Sequence, residues 1–423
     1  MKPISAPRGT RDVYPPESTR WIALESACRD IAQRFGYGEV RTPIFEATEL
    51  FARGVGETTD IVEKEMYTFV DKGGRSMTLR PELTAGVVRA LLEHKLLALG
   101  PQRLYYIGPF FRYERPQAGR LRQAHQFGVE CFGVPGAEAD AEVIHIAAML
   151  LARYRVDAVL NVNSVGDANC RPQYREALLA HFRPHAEQLS TDSQRRLERN
   201  PLRILDSKDE KDAPFVAGAP SMLDHLCDAC REHFAALRRW LDALRLPYVV
   251  NPRIVRGLDY YTRTVFEFVA SDIGAQSTVC GGGRYDGLVQ QLGGPPAPGV
   301  GFGLGLERFL IAVEKTAGEA APPRRGIQAI ALGDAAHERL VAIVGALRER
   351  SPQPAFTDWS SRKLTAHFKT ADRNGARWAV IVGDDEIARS ELVLRDLVAR
   401  EDRRLPMSGD PAEVARVLVE ATG

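Results

Sequence analysis

Charged side chains interrupt several stretches of this sequence that otherwise resemble buried strands or glycine turns. The residues are Arg112, Glu114, Glu130, Arg256 and Arg308. A charge in such a segment is costly to bury unless an opposite charge or a ligand accompanies it. Internal ion pairs would satisfy each residue singly, but several arginines with carboxylates favour a polyanionic ligand, and phosphate is the obvious candidate. The stretches are RPELTAG (80–86), FRYERPQAGRLRQAHQFGVE (111–130), VRGLDYYTRTVFEF (255–268), CGGGRYDGL (280–288) and GFGLGLERF (301–309).

Neither of the two standard nucleotide-binding fingerprints occurs in the sequence. There is no G-x-x-x-x-G-K-[ST], and the glycine string GVGFGLG at 299–305 lacks the spacing G-x-G-x-x-G. A nucleotide would therefore be held by another arrangement. The run Gly281–Gly283 is compatible with a loose turn or with a close approach of the backbone to a ligand, since glycine has no side chain.

The elements that would position these residues predict an antiparallel α+β core. A helix is predicted over residues 21–35, ending at Gly36, and the following EVRTPIFE (39–46) predicts an edge strand interrupted by Pro43. Further strands are predicted at SMTLR (76–80), RLYYIGPFFRYE (103–114), QAHQFGVECFG (123–133), VVNPRIV (249–255), TVFEFVAS (264–271) and VGFGLGL (300–306).

The domain organisation is predicted from length and local composition. A chain of 423 residues is long enough for about three domains. Residues 1–320 form the predicted core, and the polar, Arg-rich helical patterns at 166–248 indicate a helical insertion within it. The segment KTAGEAAPPRRG (315–326) is typical of a linker. Residues 327–423 alternate strand and helix patterns, which predicts a small α/β domain.

Composition limits the class of protein and its location. With 44% hydrophobic and 26% charged residues the chain is expected to be globular, and no apolar run is long enough for a transmembrane helix. The N-terminal MKPISAPRGTRDVYPPES lacks the apolar segment of a signal peptide, so a cytoplasmic location without a membrane partner is expected. The net charge is only +1, so nucleic acid would need locally concentrated basic groups.

Six cysteines are too few and too scattered for a disulfide framework. Cys227 and Cys230 form a C-x-x-C, which is compatible with half a zinc site or a redox pair. No second Cys/His pair follows at ligand spacing, so a structural role is favoured and no metal site is predicted.

Several of these phrases resemble class II aminoacyl-tRNA synthetases and, within that class, the histidyl-tRNA synthetase family. FRYE resembles the class motif 2, GLERF resembles motif 3, and EVRTPIFE resembles motif 1, which builds the dimer interface in this class. VRGLDYYTRTVFEF and GGGRYDGL resemble the two histidine-specific signatures. The resemblance covers essentially the whole chain. It implies a class II catalytic core with a mostly antiparallel sheet flanked by helices, a helical insertion and a C-terminal anticodon-binding α/β domain.

The resemblance also implies an ATP site and a catalytic arginine. Arg112 would hold the α-phosphate and is expected, with Arg256, to be a catalytic residue. Glu114 would face the adenine, and Arg308 would bind the far phosphates while covering the adenine ring. Arg256 resembles the family's catalytic arginine, which neutralises charge as the substrate carboxylate attacks the α-phosphorus. Mg²⁺ is implied by ATP, but no carboxylate cluster in the sequence identifies its protein ligands.

A histidine site follows from the same resemblance. Glu82, Thr84 and Gln126 resemble the residues that hold the α-ammonium group of the substrate. Glu130 and Tyr261 would recognise the imidazole, which presents one hydrogen-bond donor and one acceptor when neutral. Because adjacent strand positions face opposite ways, only one tyrosine of the pair at 260–261 should line the pocket. The implied histidine-binding set also includes Arg256 and Tyr260.

The remaining implied partners are tRNA(His) and a second copy of the chain. Arg115 and Gln117 resemble the pair that inspects the extra 5′ guanosine of histidine tRNA, in the turn that also carries Arg120 and Arg122. A solvated charged loop is the simpler alternative for this segment. The homodimer rests on the resemblance to motif 1.

Two other functions stay open at this point. A non-catalytic regulatory subunit of the histidine-biosynthetic ATP phosphoribosyltransferase would share this core, but it is expected to lack residues 327–423 and to have eroded ATP and histidine signatures. A class II ligase for threonine, proline or glycine would share the C-terminal domain, and LDYYTRTVFE argues against it.

Overall fold

The computed structural model divides the chain into two compact units. The first spans Met1–Gly318 and the second spans Glu319–Gly423. Each unit has its own sheet and its own apolar core. The described residues are 3–56, 59, 61–117, 119–207, 209–254, 258, 260–270, 277–317, 324–360 and 363–422.

Two sheets form the framework of the first unit. The eight-stranded sheet has the order β1-β5-β6-β11-β10-β9-β7-β8, and the three-stranded sheet has the order β2-β4-β3. The strands are β1 (Gly38–Glu39), β2 (Phe45–Ala47), β3 (Tyr67–Val70), β4 (Ser76–Leu79), β5 (Gln102–Phe111), β6 (Gln123–Phe132), β7 (Ala158–Ser164), β8 (Val249–Val250), β9 (Thr262–Ala270), β10 (Thr278–Arg284) and β11 (Gly299–Gly305). Neighbours within the large sheet are antiparallel except at its two edges, where β1 pairs with β5 and β7 with β8 in parallel. The predicted α+β core with a mostly antiparallel sheet is therefore confirmed.

The described part of the first unit contains ten α-helices. They are α1 (Glu17–Arg34), α2 (Thr48–Val55), α3 (Thr84–Glu93), α4 (Ala137–Arg153), α5 (Arg171–Phe182), α6 (Thr191–Arg199), α7 (Ala213–Ala217), α8 (Asp228–Ala243), α9 (Leu288–Gln291) and α10 (Leu306–Ala317). In α1, Leu24, Cys28 and Ile31 recur at helical spacing and are buried, which explains why the helix predicted at 21–35 forms. The main core joins α1, α4 and α8 to the inner strands.

The region at 166–248 is helical and has an apolar cluster of its own, which includes Tyr174, Leu178 and Phe182. It contains α5 to α8 and short 3₁₀ turns at Arg183–Gln188, Pro201–Asp206 and Met222–His225. At its C-terminal end α8 packs on α4, where His233 Nε2 lies 3.3 Å from Asp140 Oδ1. The region is therefore attached to the core through its last helix.

The predicted edge strand EVRTPIFE is wrong as a continuous strand. The chain forms β1 and β2 instead, with irregular backbone between them. Arg80 explains the break: its guanidinium donates to the carbonyls of Thr42 at 2.9 Å and Pro43 at 3.3 Å. The Arg80 side chain thus occupies backbone carbonyls that a neighbouring strand would otherwise use as hydrogen-bond acceptors.

The strand predicted at VVNPRIV is also shorter than expected, because only Val249–Val250 pairs. The side chain of Asn251 accepts a hydrogen bond from the backbone N–H of Arg253 at 3.1 Å, which turns the chain at Asn-Pro. The run Gly281–Gly283 is not a loose turn but the middle of β10, a strand that glycine composition disguised. The strand β7 was not predicted.

The second unit is the predicted small α/β domain, around a five-stranded sheet of order β13-β12-β14-β15-β16. The first three strands are parallel and the last two antiparallel. The strands are β12 (Ile327–Leu332), β13 (Ala355–Thr357), β14 (Trp378–Gly383), β15 (Glu391–Asp396) and β16 (Glu401–Pro406), and the helices are α11 (Asp334–Arg350), α12 (Leu364–Arg373), α13 (Asp384–Ala388) and α14 (Pro411–Thr422). The sequence did not predict β16, α13 or α14.

The predicted linker at 315–326 begins inside α10, which continues to Ala317, and residues 318–323 lie outside the described part of the chain. None of the described helices is both long enough and apolar enough to cross a lipid bilayer.

Candidate active site

The large sheet bounds a cavity of about 920 Å³, here called the main cavity. This volume lies within the range of roughly 300–1,000 Å³ that is usual for small-molecule sites. Its wall combines the ends of β5 and β6, the loop between them, β9, β10, β11 and the start of α10. The structure brings five predicted residues together there: Arg112, Glu114, Gln117, Gln126 and Arg308.

Three guanidinium groups converge in the wall of the main cavity. Arg112 Nε donates to the carbonyl of Pro81 at 2.8 Å, and Arg308 Nε donates to the carbonyl of Gly119 at 2.9 Å. Burial, and then the neighbouring charges of Arg120 and Arg112, lower the pKa of Arg308. Cations that repel one another in a half-buried site are stabilised by an anion, and a polyphosphate can engage all three.

Glu114 is the anionic partner of these arginines in the structure. It is 9% exposed, forms an ion pair with Arg120, and its Oε1 lies 3.8 Å from Arg112 Nη1. Arg120 and Arg122 in the same turn are half-buried: Arg120 lines the main cavity, and the guanidinium of Arg122 lies 3.9 Å from the centre of the Tyr113 ring. A buried carboxylate requires a cation, and Arg120 supplies it.

Arg115 and Gln117 do lie on an exposed part of this loop. The backbone of Gln117 pairs with that of Arg120, with N–H to carbonyl distances of 3.1 and 2.9 Å. The loop is thus held by its own backbone while the side chains of Arg115 and Gln117 reach solvent.

Glu130 is the centre of a closed network of hydrogen bonds beside the main cavity. Its Oε1 accepts from Thr84 Oγ1 at 2.7 Å and from the Tyr106 hydroxyl at 3.2 Å, and its Oε2 accepts from the Tyr285 hydroxyl. Glu130 is 1% exposed, and burial raises its pKa to about 8. The Tyr106 hydroxyl also lies 3.4 Å from Gln126 Oε1, which connects the network to the main cavity.

Glu82 lies two residues before α3, the helix that begins at Thr84. Its two carboxylate oxygens accept from the backbone N–H groups of Thr84 at 2.7 Å and Ala85 at 2.8 Å, which would otherwise be unpaired at the start of α3. Burial raises the pKa of Glu82, and these two backbone donors act against that increase. Glu82 and Thr84 are therefore fixed relative to Glu130 before any ligand binds.

Glycines on β11 make room for two of the predicted histidine-binding residues. In the pairing of β11 with β6, Gly301 lies opposite Glu130 and Gly305 lies opposite Gln126. A Cβ at Gly301 would collide with Glu130 Oε2 and the carbonyl of Val129, and a Cβ at Gly303 would collide with the amide of Gln126. The side chains of Glu130 and Gln126 lie against bare backbone at these positions.

Tyr260 and Tyr261 are both 7% exposed and lie beside Tyr285. The ring of Tyr260 packs edge-on against Tyr285, with centroids 5.5 Å apart. Tyr261 lines a second cavity of about 790 Å³, shared with residues of α5 and the 3₁₀ turn at Pro201–Asp206. Tyr260 and Tyr261 thus face different surroundings, while the hydroxyl of Tyr285, like that of Tyr106, donates to Glu130.

Arg284 fixes the strand end that carries Tyr285. Its guanidinium is fully buried, and Nε donates to both carboxylate oxygens of Asp140, at 3.2 and 3.0 Å. It also donates to the carbonyls of Val134 at 3.1 Å and Gly136 at 2.9 Å. Burial opposes ionisation of Arg284, but Asp140 raises its pKa above the ordinary value. This paired charge holds β10 to α4.

The predicted catalytic residue Arg256 lies outside the described residues, as do Val255 and Gly257. Ile254, two residues earlier, lines the main cavity, and its carbonyl accepts from Asn163 Nδ2 at 3.1 Å. The described segment that leads to Arg256 is therefore part of the cavity wall.

Sequence reasoning missed Tyr106, Tyr285 and Arg120 as parts of this site. Tyr285 follows the glycine run in one of the quoted signatures, and Arg120 lies in the quoted loop, so both had a local signal. Tyr106 had only a position within a strand. Its contact with Glu130 depends on the pairing of β5 with β6, which places Tyr106 opposite Gly128.

Comparisons with known proteins give a consistent result along both units. A family model described as "Histidyl-tRNA synthetase" matches residues 9–309, and one described as "Anticodon binding domain" matches residues 327–416. The chain is 52% identical over 408 residues to a Histidine--tRNA ligase of Desulfitobacterium hafniense (strain DSM 10664 / DCB-2), with 96% of each chain covered. It is 48% identical over 428 residues to a Histidine--tRNA ligase of Geobacillus kaustophilus (strain HTA426), which covers 99% of this chain and 98% of the relative.

A solved structure agrees with this result. The apo S. aureus histidyl-tRNA synthetase aligns with a TM-score of 0.80 and 36% identity, over 99% of both chains. The resemblance to class II aminoacyl-tRNA synthetases is confirmed. Within that class, the chain belongs to the histidyl-tRNA synthetase family.

Proposed function

We propose that this chain joins L-histidine to tRNA(His) at the expense of ATP. In the first step, a carboxylate oxygen of histidine attacks the α-phosphorus, and the bond to the β-phosphate oxygen breaks to release pyrophosphate. In the second, a hydroxyl of the terminal ribose of the tRNA attacks the histidyl carbonyl and AMP leaves. The observation that carries the proposal is the convergence of Arg112, Arg120 and Arg308 in a cavity that adjoins the buried Glu130 network.

ATP binds in the main cavity under this proposal. Arg112 holds the α-phosphate, and Arg308 binds the far phosphates while its side chain covers the adenine. Glu114 faces the adenine amino group, which requires it to exchange part of its contact with Arg120 for the base. The released Arg120 is then available to the phosphates. Charge-assisted pairs of this kind are short and directional, so they fix the α-phosphorus in place.

Arg256 is proposed as the catalytic arginine. The reaction places additional negative charge on the α-phosphoryl oxygens, and a guanidinium already aimed at them stabilises the transition state more than the ground state. Replacing Arg256 with Ala should lower the rate of adenylate formation by at least the roughly 10²–10³-fold that loss of one such donor produces. A near-wild-type rate in the folded variant would contradict this role.

Histidine is proposed to bind between the main cavity and the Glu130 network. Glu82, Thr84 and Gln126 surround its α-ammonium group, since a carboxylate with neutral oxygens matches three N–H donors. Glu130 receives the N–H of the imidazole. Tyr285, which already donates to Glu130, and the neighbouring Tyr260 and Tyr261 enclose the ring. An amino acid without an imidazole would leave these buried polar groups unpaired, which is a strong basis for selection.

Mg²⁺ is proposed to accompany ATP. This ion keeps several waters and uses one or two carboxylates together with substrate phosphates. Glu267 and Glu307 line the main cavity and fit this requirement, either directly or through water. Glu307 is oriented by the backbone N–H of His125, which donates to both of its oxygens at 3.0 Å. When bound, the ion would neutralise charge on the outer phosphates.

The tRNA contacts are proposed at two separate places on the chain. Arg115 and Gln117 present exposed side chains next to the ATP site, where the acceptor end must arrive. The second unit, matched by the anticodon-binding family at 327–416, would bind the other end of the tRNA. We expect the protein to act in the cytoplasm, where these substrates occur.

We also propose a homodimer. The three-stranded sheet exposes Phe45, Phe69 and Val70, which are 54%, 43% and 70% exposed, and the first two rings lie 6.4 Å apart. Contiguous apolar surface of this kind marks an interface in a water-soluble chain. Analytical ultracentrifugation should give twice the chain mass, and Phe45→Glu together with Phe69→Glu should give the monomer.

The regulatory-subunit alternative is not favoured. The curated relatives at 48–52% identity carry the ligase name over nearly the full chain, and residues 327–416, which the alternative is expected to lack, match an anticodon-binding family. The deciding experiment is amino-acid-dependent exchange of pyrophosphate into ATP, without tRNA, for each amino acid. Exchange with histidine alone supports the proposal, whereas no exchange by folded protein supports the alternative.

A further inference from the structure

Four potential metal ligands meet where the helical region 166–248 leaves and rejoins the large sheet. The Sγ atoms of Cys170, Cys227 and Cys230 and a carboxylate oxygen of Asp167 all lie within 4.8 Å of one another. Across the described ranges, from residue 3 to 422 with their gaps, this is the group of cysteine, histidine and carboxylate side chains close enough to share one ion. The C-x-x-C that lacked a second pair nearby in sequence therefore has partners in space.

Three of the four ligands lie at the start of a helix, and Asp167 lies in the segment between β7 and α5. Asp167 follows the end of β7, Cys170 is the N-cap residue of α5, Cys227 is the N-cap residue of α8, and Cys230 lies in the first turn of α8. Positions three apart at a helix start lie on the same side, so both thiols of the C-x-x-C face Cys170. The cluster thus connects two helices and the strand before them.

Hydrogen bonds already orient these ligand atoms. Asp167 Oδ1 accepts from the backbone N–H groups of Asn169 at 2.9 Å and Cys170 at 3.4 Å. The N–H of Cys227 donates to Cys170 Sγ at 3.1 Å. A backbone donor on a cysteine sulfur stabilises the thiolate form, which is the form that binds metal. Partners of this kind outside the ligand set are a regular feature of metal sites.

Two sulfur–oxygen distances in the group are close to those of a tetrahedral zinc site. Zinc binds sulfur at about 2.3 Å and carboxylate oxygen at about 2.0–2.2 Å, so sulfur and oxygen ligands of one tetrahedron are about 3.5 Å apart and two sulfurs about 3.8 Å. Cys170 Sγ and Cys227 Sγ lie 3.5 and 3.9 Å from Asp167 Oδ1. The four ligand atoms lie within 4.8 Å of one another, which is about 1 Å more than the separation of two sulfurs on one zinc ion.

We propose that Asp167, Cys170, Cys227 and Cys230 bind one zinc ion as a structural site. Three thiolates favour zinc over magnesium or calcium, which prefer oxygen. Four protein ligands complete a tetrahedron, so the ion has no open position for substrate and takes no part in the aminoacylation chemistry. The site is independent of the proposed function.

The ion would tie the helical region to the histidine-binding segment. Arg171, which follows Cys170, donates to the carbonyl of Tyr261, and the N–H of Arg263 donates to the carbonyl of Gly166 at 2.7 Å. Arg263 Nη2 also lies 4.0 Å from Asp167 Oδ2. Metal binding therefore fixes the start of β9 relative to α5 and α8.

Metal content of the full-length chain tests the proposal without any activity assay. The protein is purified in a thiol-free reductant, loaded with zinc, desalted, and analysed by inductively coupled plasma mass spectrometry. We expect one zinc per chain, and in the cobalt-substituted protein we expect thiolate charge-transfer absorption together with the intense visible bands of a tetrahedral site. Intact mass spectrometry under non-reducing conditions distinguishes this from a disulfide, which lowers the chain mass by two hydrogens.

Variants assign the ligands. Cys227→Ser together with Cys230→Ser should lose the zinc, whereas Cys28→Ala, which removes a buried thiol outside the group, should retain it. If the double variant does not fold, Asp167→Asn keeps the three thiols and should release zinc more readily to a chromophoric chelator. The proposal would be overturned if folded, reduced wild-type protein bound no zinc and showed no cobalt–thiolate absorption. A disulfide between these cysteines, or zinc retained by the folded double variant, would also overturn it.

Discussion

Glu130 is expected to be uncharged at neutral pH in the protein without histidine. Burial is the largest cause of its raised pKa, which moves from 4.5 to about 8 although Tyr285 and Thr84 donate to the carboxylate. One unit of pKa corresponds to about 1.4 kcal/mol, so the ionised form of Glu130 is disfavoured by roughly 5 kcal/mol more in the folded protein than in the unfolded chain. Glu130→Gln replaces it with a side chain of the same size that cannot ionise.

The sign of the pH dependence follows from the direction of this pKa shift. Because the pKa of Glu130 is higher in the folded protein than in the unfolded chain, the folded protein binds an extra proton between pH 4.5 and about 8. The resulting stability is complete below pH 4.5 and is lost as the pH rises through that window. The free energy of unfolding should fall by up to about 1.4 kcal/mol per pH unit from this group. In Glu130→Gln that contribution is absent.

Urea unfolding at a series of pH values measures this difference. Replacing Trp359 and Trp378 with Phe in both proteins leaves Trp21 and Trp240 as fluorescent probes, which both lie in the first unit. The free energy of unfolding of the protein with Glu130, relative to that of Glu130→Gln, should decrease between pH 5 and 8. Infrared spectra of the protein with Glu130 at neutral pH should show a protonated-carboxyl band that the variant lacks. Parallel pH profiles, or a Glu130 carboxyl that titrates near 4.5, would refute the desolvation argument.

Three further changes test the support of this network. Gly301→Ala should displace Glu130 and raise the KM for histidine in pyrophosphate exchange roughly 10- to 100-fold, with little change in the KM for ATP. The reason is that the displaced carboxyl leaves the buried imidazole N–H without a partner, which costs about 1–3 kcal/mol. Arg284→Met should lower the free energy of urea unfolding by about 3–5 kcal/mol, because it leaves Asp140 buried without its cation. Tyr285→Phe should raise the KM for histidine and shift the infrared titration of Glu130 upward, because the hydroxyl that stabilises its carboxylate is lost.

Matched variants separate these effects from general damage. Gly287→Ala places a Cβ in open space and should leave the KM for histidine unchanged, so an equal effect at both glycines would contradict the collision argument. Adding Asp140→Leu to Arg284→Met should restore much of the lost stability, and simple additivity would show that the pair is not coupled. An unaltered Glu130 titration in Tyr285→Phe would remove that hydroxyl from the network.

The sequence predicted those parts of the site whose signals are local. Arg112 and Arg308 lie in short phrases with charges inside predicted strands, and the cost of burying such charges pointed to a ligand, whereas Gln126 was implied only by the family resemblance. The same reasoning located Glu130. The strand prediction for EVRTPIFE failed because Arg80, the side chain that interrupts the strand, lies far along the chain. No local pattern shows where its guanidinium will donate.

Contacts that depend on strand register or on distant segments could not be predicted from the sequence. Tyr106 and Tyr285 meet the same carboxylate only because β5 and β11 flank β6 while β10 pairs with β11. Asp167 and Cys230 are separated in sequence by α5, α6 and α7, and spacing rules for metal ligands consider only close pairs. Hydrophobic periodicity specifies which face of an element is buried but not which distant residue it meets.

The glycine string at 299–305 has no clear function in the sequence, but strand pairing places it against the side chains of the candidate site. Residues two apart on a strand share a face, so Gly299, Gly301 and Gly303 present bare backbone in a row. A Cβ at these three positions would collide with the Tyr285 ring, with Glu130 and with the Gln126 amide in turn. The glycines therefore do not cradle phosphate as in a G-x-G-x-x-G loop. They leave bare backbone, and the polar side chains proposed to select histidine pack against it within the sheet. Side chains of ordinary size at these glycine positions would leave no room for those polar groups.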